Sequence, residues 1–207
     1  MISDFAAQIT HVLCNAHVID ADENELYRYG FFILLSHIFF CIATLSFGIL
    51  FGVTWESILF YVLFTLLRSY AGGVHARTEK ACTILTALTM VVCVMAIRLL
   101  EEFNMEITAL SLLAVGAVFV FTLCPLDTKE KPLEPDERKH YRKITQVIAI
   151  LYVIVALFAY YTGHSGVLCS TSISVFVESV LLIVGGVLKK LHEIPTIPES
   201  SFKNFNS

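Results

Sequence analysis

Charge is what this chain has least of: 15% of its 207 residues are Asp, Glu, Lys or Arg, while 57% are hydrophobic. With a mean hydropathy of +0.75, that excludes an ordinary soluble domain and indicates a membrane protein. The first thirty residues carry Asp4, Asp20, Asp22, Glu23 and Glu25 but lack a basic n-region and an apolar h-region. A cleaved secretory signal is therefore not expected, and insertion through the first spanning helix is. The six cysteines contain no Cys-x-x-Cys pair, which leaves a zinc or thiol-redox motif without support. Cys41, Cys93, Cys124 and Cys169 lie in apolar runs or at their ends, where cysteine is a small buried hydrophobe rather than half of a disulfide framework. His11, His17, His140, His164 and His192 show no metal-ligand spacing, so no cofactor is expected. Internal repeats and low-complexity stretches are also lacking.

What is present is a set of long apolar runs at 31–53, 82–100, 107–126, 144–163 and 167–188, each near the roughly 20 residues that cross a bilayer as a helix. A sixth run, 55–67, is bounded by Glu56 and Arg68. It is short, and reads as a sixth helix in a locally thinned membrane or as a re-entrant half-helix. Basic residues gather at Arg68, Arg77 and Lys80, between Lys129 and Lys143, and at Lys189, Lys190 and Lys203, whereas Glu101, Glu102 and Glu106 share one loop. The positive-inside rule puts the basic regions in the cytoplasm. Six crossings with both termini cytoplasmic satisfy it.

The fold class expected is all-α: a polytopic membrane protein with six hydrophobic segments plus an N-terminal amphipathic helix. Ile2, Phe5, Ile9, Val12, Leu13 and Ala16 recur at helical spacing, which suits a helix on the inner membrane surface or on the cytoplasmic loops. Three regions follow: a cytoplasmic or interfacial segment at 1–30, an integral membrane part at 31–190 with cytoplasmic loops 68–81 and 127–143, and a tail at 191–207. Pro125, Pro132 and Pro135 delay the helix after the second loop to about residue 136.

Chemistry concentrates in Arg68-Ser-Tyr-Ala-Gly-Gly-Val-His75, with Cys82 seven residues on. A thiol needs a nearby base to become a thiolate near neutral pH. Gly72 and Gly73 allow close backbone approach. If this stretch is helical, His75, Glu79 and Cys82 share one face, and Glu79 could hold the imidazole as in a triad. Glu79 reads more readily as a solvated surface charge, and a His and a Cys at this distance are a weak signal alone. Glu178 sits near the middle of the last run, where an ionised group is costly and faces protein or a cavity. His37, Gln146 and Arg98 read as inter-helix or interfacial groups.

Arg68, Ala71-Gly72-Gly73, His75 and Cys82 at these offsets, with the later Pro125-Leu126-Asp127, Lys131-Pro132-Leu133 and Glu137-Arg138-Lys139, resemble the accessory gene regulator B (AgrB) family of quorum-sensing proteins. Size and order of motifs agree along nearly the whole chain. The resemblance implies a membrane-embedded cysteine endopeptidase at the cytoplasmic face. It would cleave the C-terminal part from an AgrD-like precursor peptide and promote cyclisation to an autoinducing peptide. Cys82 would be the nucleophile, carrying an acyl-thioester, and His75 the general base. Arg68 and Gly73 match motif positions. Arg68 could meet a substrate carboxylate or an oxyanion, or could simply be a positive-inside anchor. Lys129, Lys131, Arg138 and Lys139 are topology determinants that could also receive an acidic precursor tail or anionic lipid. The implied partners are the precursor, the lipid bilayer and a second copy in a homodimer; nothing points to nucleic acid. A small-peptide transporter or a membrane scaffold without protease activity is the alternative. A thiolactone and a lactone product remain equally open, because the ring-closing nucleophile belongs to the substrate.

Overall fold

The computed structural model describes residues 2–16, 19, 23–72, 79–126 and 134–193, apart from the side chains of 79–80, 135 and 191–193. Seven helices account for nearly all of these residues: α1 (Ile2–Asn15), α2 (Asn24–Phe51), α3 (Thr54–Ala71), α4 (Glu79–Glu102), α5 (Glu106–Leu123), α6 (Pro135–Thr162) and α7 (Ser165–Glu193). The all-α class is as expected. Five of them, α2, α4, α5, α6 and α7, are long and apolar enough to cross a membrane.

The short sixth run is a continuous helix. α3 has 18 residues and rises about 27 Å, close to the thickness of a hydrocarbon core. Its two ends lie at opposite ends of the bundle. Near its start, Glu56 reaches Gly166 at the head of α7, where Glu101 from the end of α4 also arrives. Past its last residue, Gly72 bridges to Leu126, just beyond α5. α3 thus runs the length of the bundle, the arrangement a sixth crossing needs.

Tight connections produce the up-and-down order. Gly52 and Gly163 cap α2 and α6 in the left-handed region, at φ 72° and 73°, and their N–H groups return to carbonyls of the preceding turn. Glycine meets that geometry without a Cβ penalty. Gly48 lies four residues before Gly52, and a Cβ there would collide with Ser57 of α3. This glycine pair therefore shapes the α2–α3 hairpin inside the chain. α6 begins at Pro135, as the prolines require, under a capping box between Glu134 and Glu137.

α7 is the hub, packed against α3, α4, α5 and α6. Its closest approach is to α5, where a Cβ on Gly116 would stand 2.9 Å from Phe176 Cα. α7 carries a polar row on the α3 side: Ser170 donates to Glu56 O at 3.0 Å and Ser174 to Phe60 O at 3.4 Å. Tyr152 of α6 adds a bond from its hydroxyl to Leu63 O at 2.9 Å. Each ties a helix to the backbone of α3, which holds α3 in the bundle although it lacks the long apolar stretch of the other five.

α1 is the N-terminal helix expected, and the structure adds which of its residues pack. It packs on α2, and the residues it buries are Ala6 and Thr10, while Phe5 and Val12 of the apolar stripe stay exposed. Small residues let two helices approach closely, and the large apolar ones are left for the bilayer interface.

Candidate functional site

The end of α3 is tied to the end of α5. Leu126 N–H donates to Ala71 O at 3.0 Å, and Gly72 and Leu126 form a parallel bridge. Gly72 has φ 82°, and a Cβ on it would lie 2.6 Å from Leu126 O. Both the backbone conformation and the contact require glycine at this point.

Arg68 stands one turn before Gly72. Its Nη1 is 3.4 Å from Gly72 O and 3.6 Å from Glu178 Oε2 on α7. Glu178 is fully buried, and Arg68 remains partly open. Within the bundle a carboxylate needs a compensating charge, and Arg68 supplies it.

Cys82 is in the first turn of α4, partly buried. It lines a cavity of about 650 Å³ together with Arg68, Gly72, Pro125, Leu126 and Tyr141. The opposite wall is α2, which contributes Tyr29, Phe32, His37 and Phe40. A thiol, a guanidinium and a pinned backbone turn thus face one space with several aromatic side chains in its wall, at the end of the bundle where α3 ends and α4 begins. The other cysteines are elsewhere or inert. Cys93 and Cys169 are buried in the bundle, and burial pushes the Cys124 thiol above its ordinary range, with the Arg142 charge pulling the other way.

His75, Gly73, Lys129 and Lys131 lie outside the described residues, as does the side chain of Glu79. α4 begins at Glu79, so Glu79 and Cys82 share its first turn, and His75 precedes it in sequence. Arg138 and Lys139 are exposed in the first turns of α6, where Lys139 pairs with Asp136 at 3.3 Å. Arg98 pairs with Glu102 at 3.4 Å. His37 lies 3.2 Å from the Tyr61 hydroxyl, which donates to His37 O at 2.9 Å; it is inter-helix glue and cavity wall at once. Sequence reasoning missed the α2 wall and Tyr141. The available signal was the polar pair Ser36 and His37 inside an otherwise apolar helix. Among the described residues no His, Cys, Asp and Glu cluster could hold a metal ion.

The structure defines a multi-pass all-α membrane protein with a cysteine-bearing cavity at one end. The Accessory gene regulator B family model matches residues 6–182, and the chain belongs to that family. An AgrB-like protein of Clostridium perfringens is 24% identical over 204 residues, covering 92% of this chain and 95% of its own. The accessory gene regulator protein B of Staphylococcus intermedius is 24% identical over 62% of this chain and 68% of its own. Protein FsrB of Enterococcus faecalis is 24% identical over 63% of this chain and 54% of its own. No solved structure matches. Family membership gives the protein a role in the accessory gene regulator quorum-sensing system.

Proposed function

We propose that the protein is a membrane-embedded cysteine endopeptidase that processes an AgrD-like precursor peptide, with its active end at the cytoplasmic face and both termini cytoplasmic. The observation that carries this reading is Cys82 in the wall of a cavity shared with Arg68 and Gly72. The Cys82 thiolate, its proton taken by His75, attacks the carbonyl at the end of the future pheromone. The C–N bond breaks, the amine of the C-terminal fragment leaves with the proton from His75, and the acyl group stays on Cys82 as a thioester. A nucleophile within the precursor then attacks that thioester, closes the ring and frees the thiol.

Ring closure has to outrun hydrolysis, because exchange between thioesters is nearly balanced and hydrolysis runs downhill. A cavity walled by Phe32, Phe40 and Tyr29 supports this by keeping water scarce around the acyl group. Arg68 is suited to the developing oxyanion. Arg138 and Lys139, exposed at the start of α6, offer the acidic leaving fragment a basic surface, and Lys129 and Lys131, outside the described residues, add to the basic charge of the same stretch of sequence.

The test is cleavage of a C-terminally tagged precursor in membranes. Cys82→Ser, Cys82→Ala and His75→Ala should insert normally and release no tagged fragment, and the wild type should yield an acyl adduct on Cys82. Normal cleavage by either Cys82 variant would remove the nucleophile. Failure of the wild type to cut would favour transport or scaffolding.

A further inference from the structure

We propose that Glu178 is a positioning residue for the proposed processing reaction: it holds Arg68, and through Arg68 the Gly72–Leu126 junction, at the cavity that contains Cys82. This rests on the enzyme reading above and adds to it a group from the far end of the sequence that carries no part of the motif.

The geometry is a chain of three links. Glu178 is fully buried, and neither of its carboxylate oxygens has a hydrogen-bond partner among the described residues. Its compensation is the Arg68 guanidinium at 3.6 Å. The same Nη1 atom of Arg68 lies 3.4 Å from Gly72 O, so the arginine stands between a buried carboxyl group and a backbone carbonyl. Gly72 in turn is bridged to Leu126, and there is no spare room between them, since a Cβ at 72 would reach Leu126 O at 2.6 Å. α7 is the most enclosed helix of the bundle, with 61% of its apolar stretch buried, so Glu178 is a rigid anchor. α3 presents the arginine from one turn before its own end. A long flexible cation beside a catalytic cavity adopts many rotamers, and a buried counter-ion selects one. Without the Glu178 carboxyl group Arg68 would still be cationic but would lose the buried partner on α7 that fixes its position, and misplacement of about 1 Å at a reacting centre costs on the order of 100-fold in rate.

Two readouts test this on the full-length protein in lipid nanodiscs. The first needs no substrate: amide hydrogen exchange at Leu126, whose N–H is bonded to Ala71 O. Glu178→Gln keeps the side-chain shape and removes the charge, and should speed that exchange roughly tenfold, with amides in the middle of α5 unchanged. The second is precursor cleavage. Glu178→Gln should lower kcat roughly 10- to 100-fold and leave KM within about twofold, because it disturbs the reacting end and not peptide capture. Arg68→Gln should do the same, and the double variant should be no slower than Arg68→Gln alone. If Glu178→Gln does not accumulate, Glu178→Asp replaces it with the same expectations, since it withdraws the charge by one methylene. Wild-type kcat in the Glu178 variant overturns the assignment, and so do additive losses in the double variant or a change confined to KM. Where the wild type itself cuts no precursor, the enzyme reading has failed. The exchange arm then still decides whether Glu178 holds the junction, and unchanged exchange at Leu126 overturns it.

Discussion

α2 and α7 are equally apolar, each with a mean hydropathy of 2.2 over its best 18 residues, yet 61% of that stretch is buried in α7 and 11% in α2. Hydropathy says that both belong in a membrane and nothing about which one the bundle is built around. In lipid a leucine gains little by exchanging an acyl chain for another helix, so close packing and polar contacts decide which faces meet. α7 buries Ser170, Thr171, Ser172, Ser174, Glu178 and Ser179. The two residues that α2 does bury, Thr44 and Gly48, are of the same small kind. Large apolar residues occur on both sides, with Leu168 and Leu182 of α7 buried and Ile42 and Leu50 of α2 exposed, so the small and polar positions are what distinguish the inside.

The sharpest way to break the comparison is to move a carboxylate from one helix to the other. Glu178 has Arg68 beside it, whereas Ile42 on α2 is 60% exposed on the bundle surface. Ile42→Asp should cost about 2.5–3.5 kcal/mol, the scale for a charged residue in the middle of a spanning helix. The readout is the amount of full-length protein in the membrane fraction. Accumulation at the wild-type level would show that this face of α2 does not meet lipid.

Glycine to alanine should give opposite signs in the two settings. At Gly116 on α5 the new methyl would meet the α7 backbone at Phe176 Cα 2.9 Å and Val175 C 3.1 Å away, and backbone cannot rotate aside. Gly116→Ala should destabilise by roughly 1–3 kcal/mol, as overpacking does. At Gly30 on α2 nothing lies within 4 Å. There the substitution should be neutral or add up to about 1 kcal/mol through helix propensity. Thermal midpoints in detergent measure both, and a drop at both positions would mean that α2 has a partner on its Gly30 face.

The difference between these helices also marks where sequence reasoning stopped. Run lengths were enough for the five long apolar helices, because the thickness of the bilayer and the cost of charge act on each segment separately. The motif spacing drew attention to Arg68, Gly72 and Cys82, which all line one cavity. His75 lies outside the described residues, so its place in the dyad rests on the proposed function alone. Neighbour relations were not legible. Glu178 stood out as an intramembrane acid, but its pairing with Arg68 depends on α3 and α7 running side by side in the same direction, which no local pattern encodes. The wall that α2 adds to the cavity was hidden for the same reason, and so was the buried face of α1, where Ala6 and Thr10 pack rather than Phe5 and Val12.

The smallest expected effects carry the comparison furthest. Ser170→Ala removes one hydroxyl that ties α7 to Glu56 O at 3.0 Å. The carbonyl keeps its helical partner, so the loss should be about 0.6 kcal/mol, the average for such bonds within a membrane protein. Leu50→Ala on α2 removes a much larger side chain that is 72% exposed. In a soluble core Leu→Ala costs about 2–5 kcal/mol. On a lipid-facing surface the leucine has no protein cavity to leave behind, and the cost to the bundle should be close to nil. The thermal midpoint should therefore fall further for the serine than for the leucine. The reverse order would mean that α2 is buried against a partner, a second copy included, and that its outward face is an interface rather than a lipid contact.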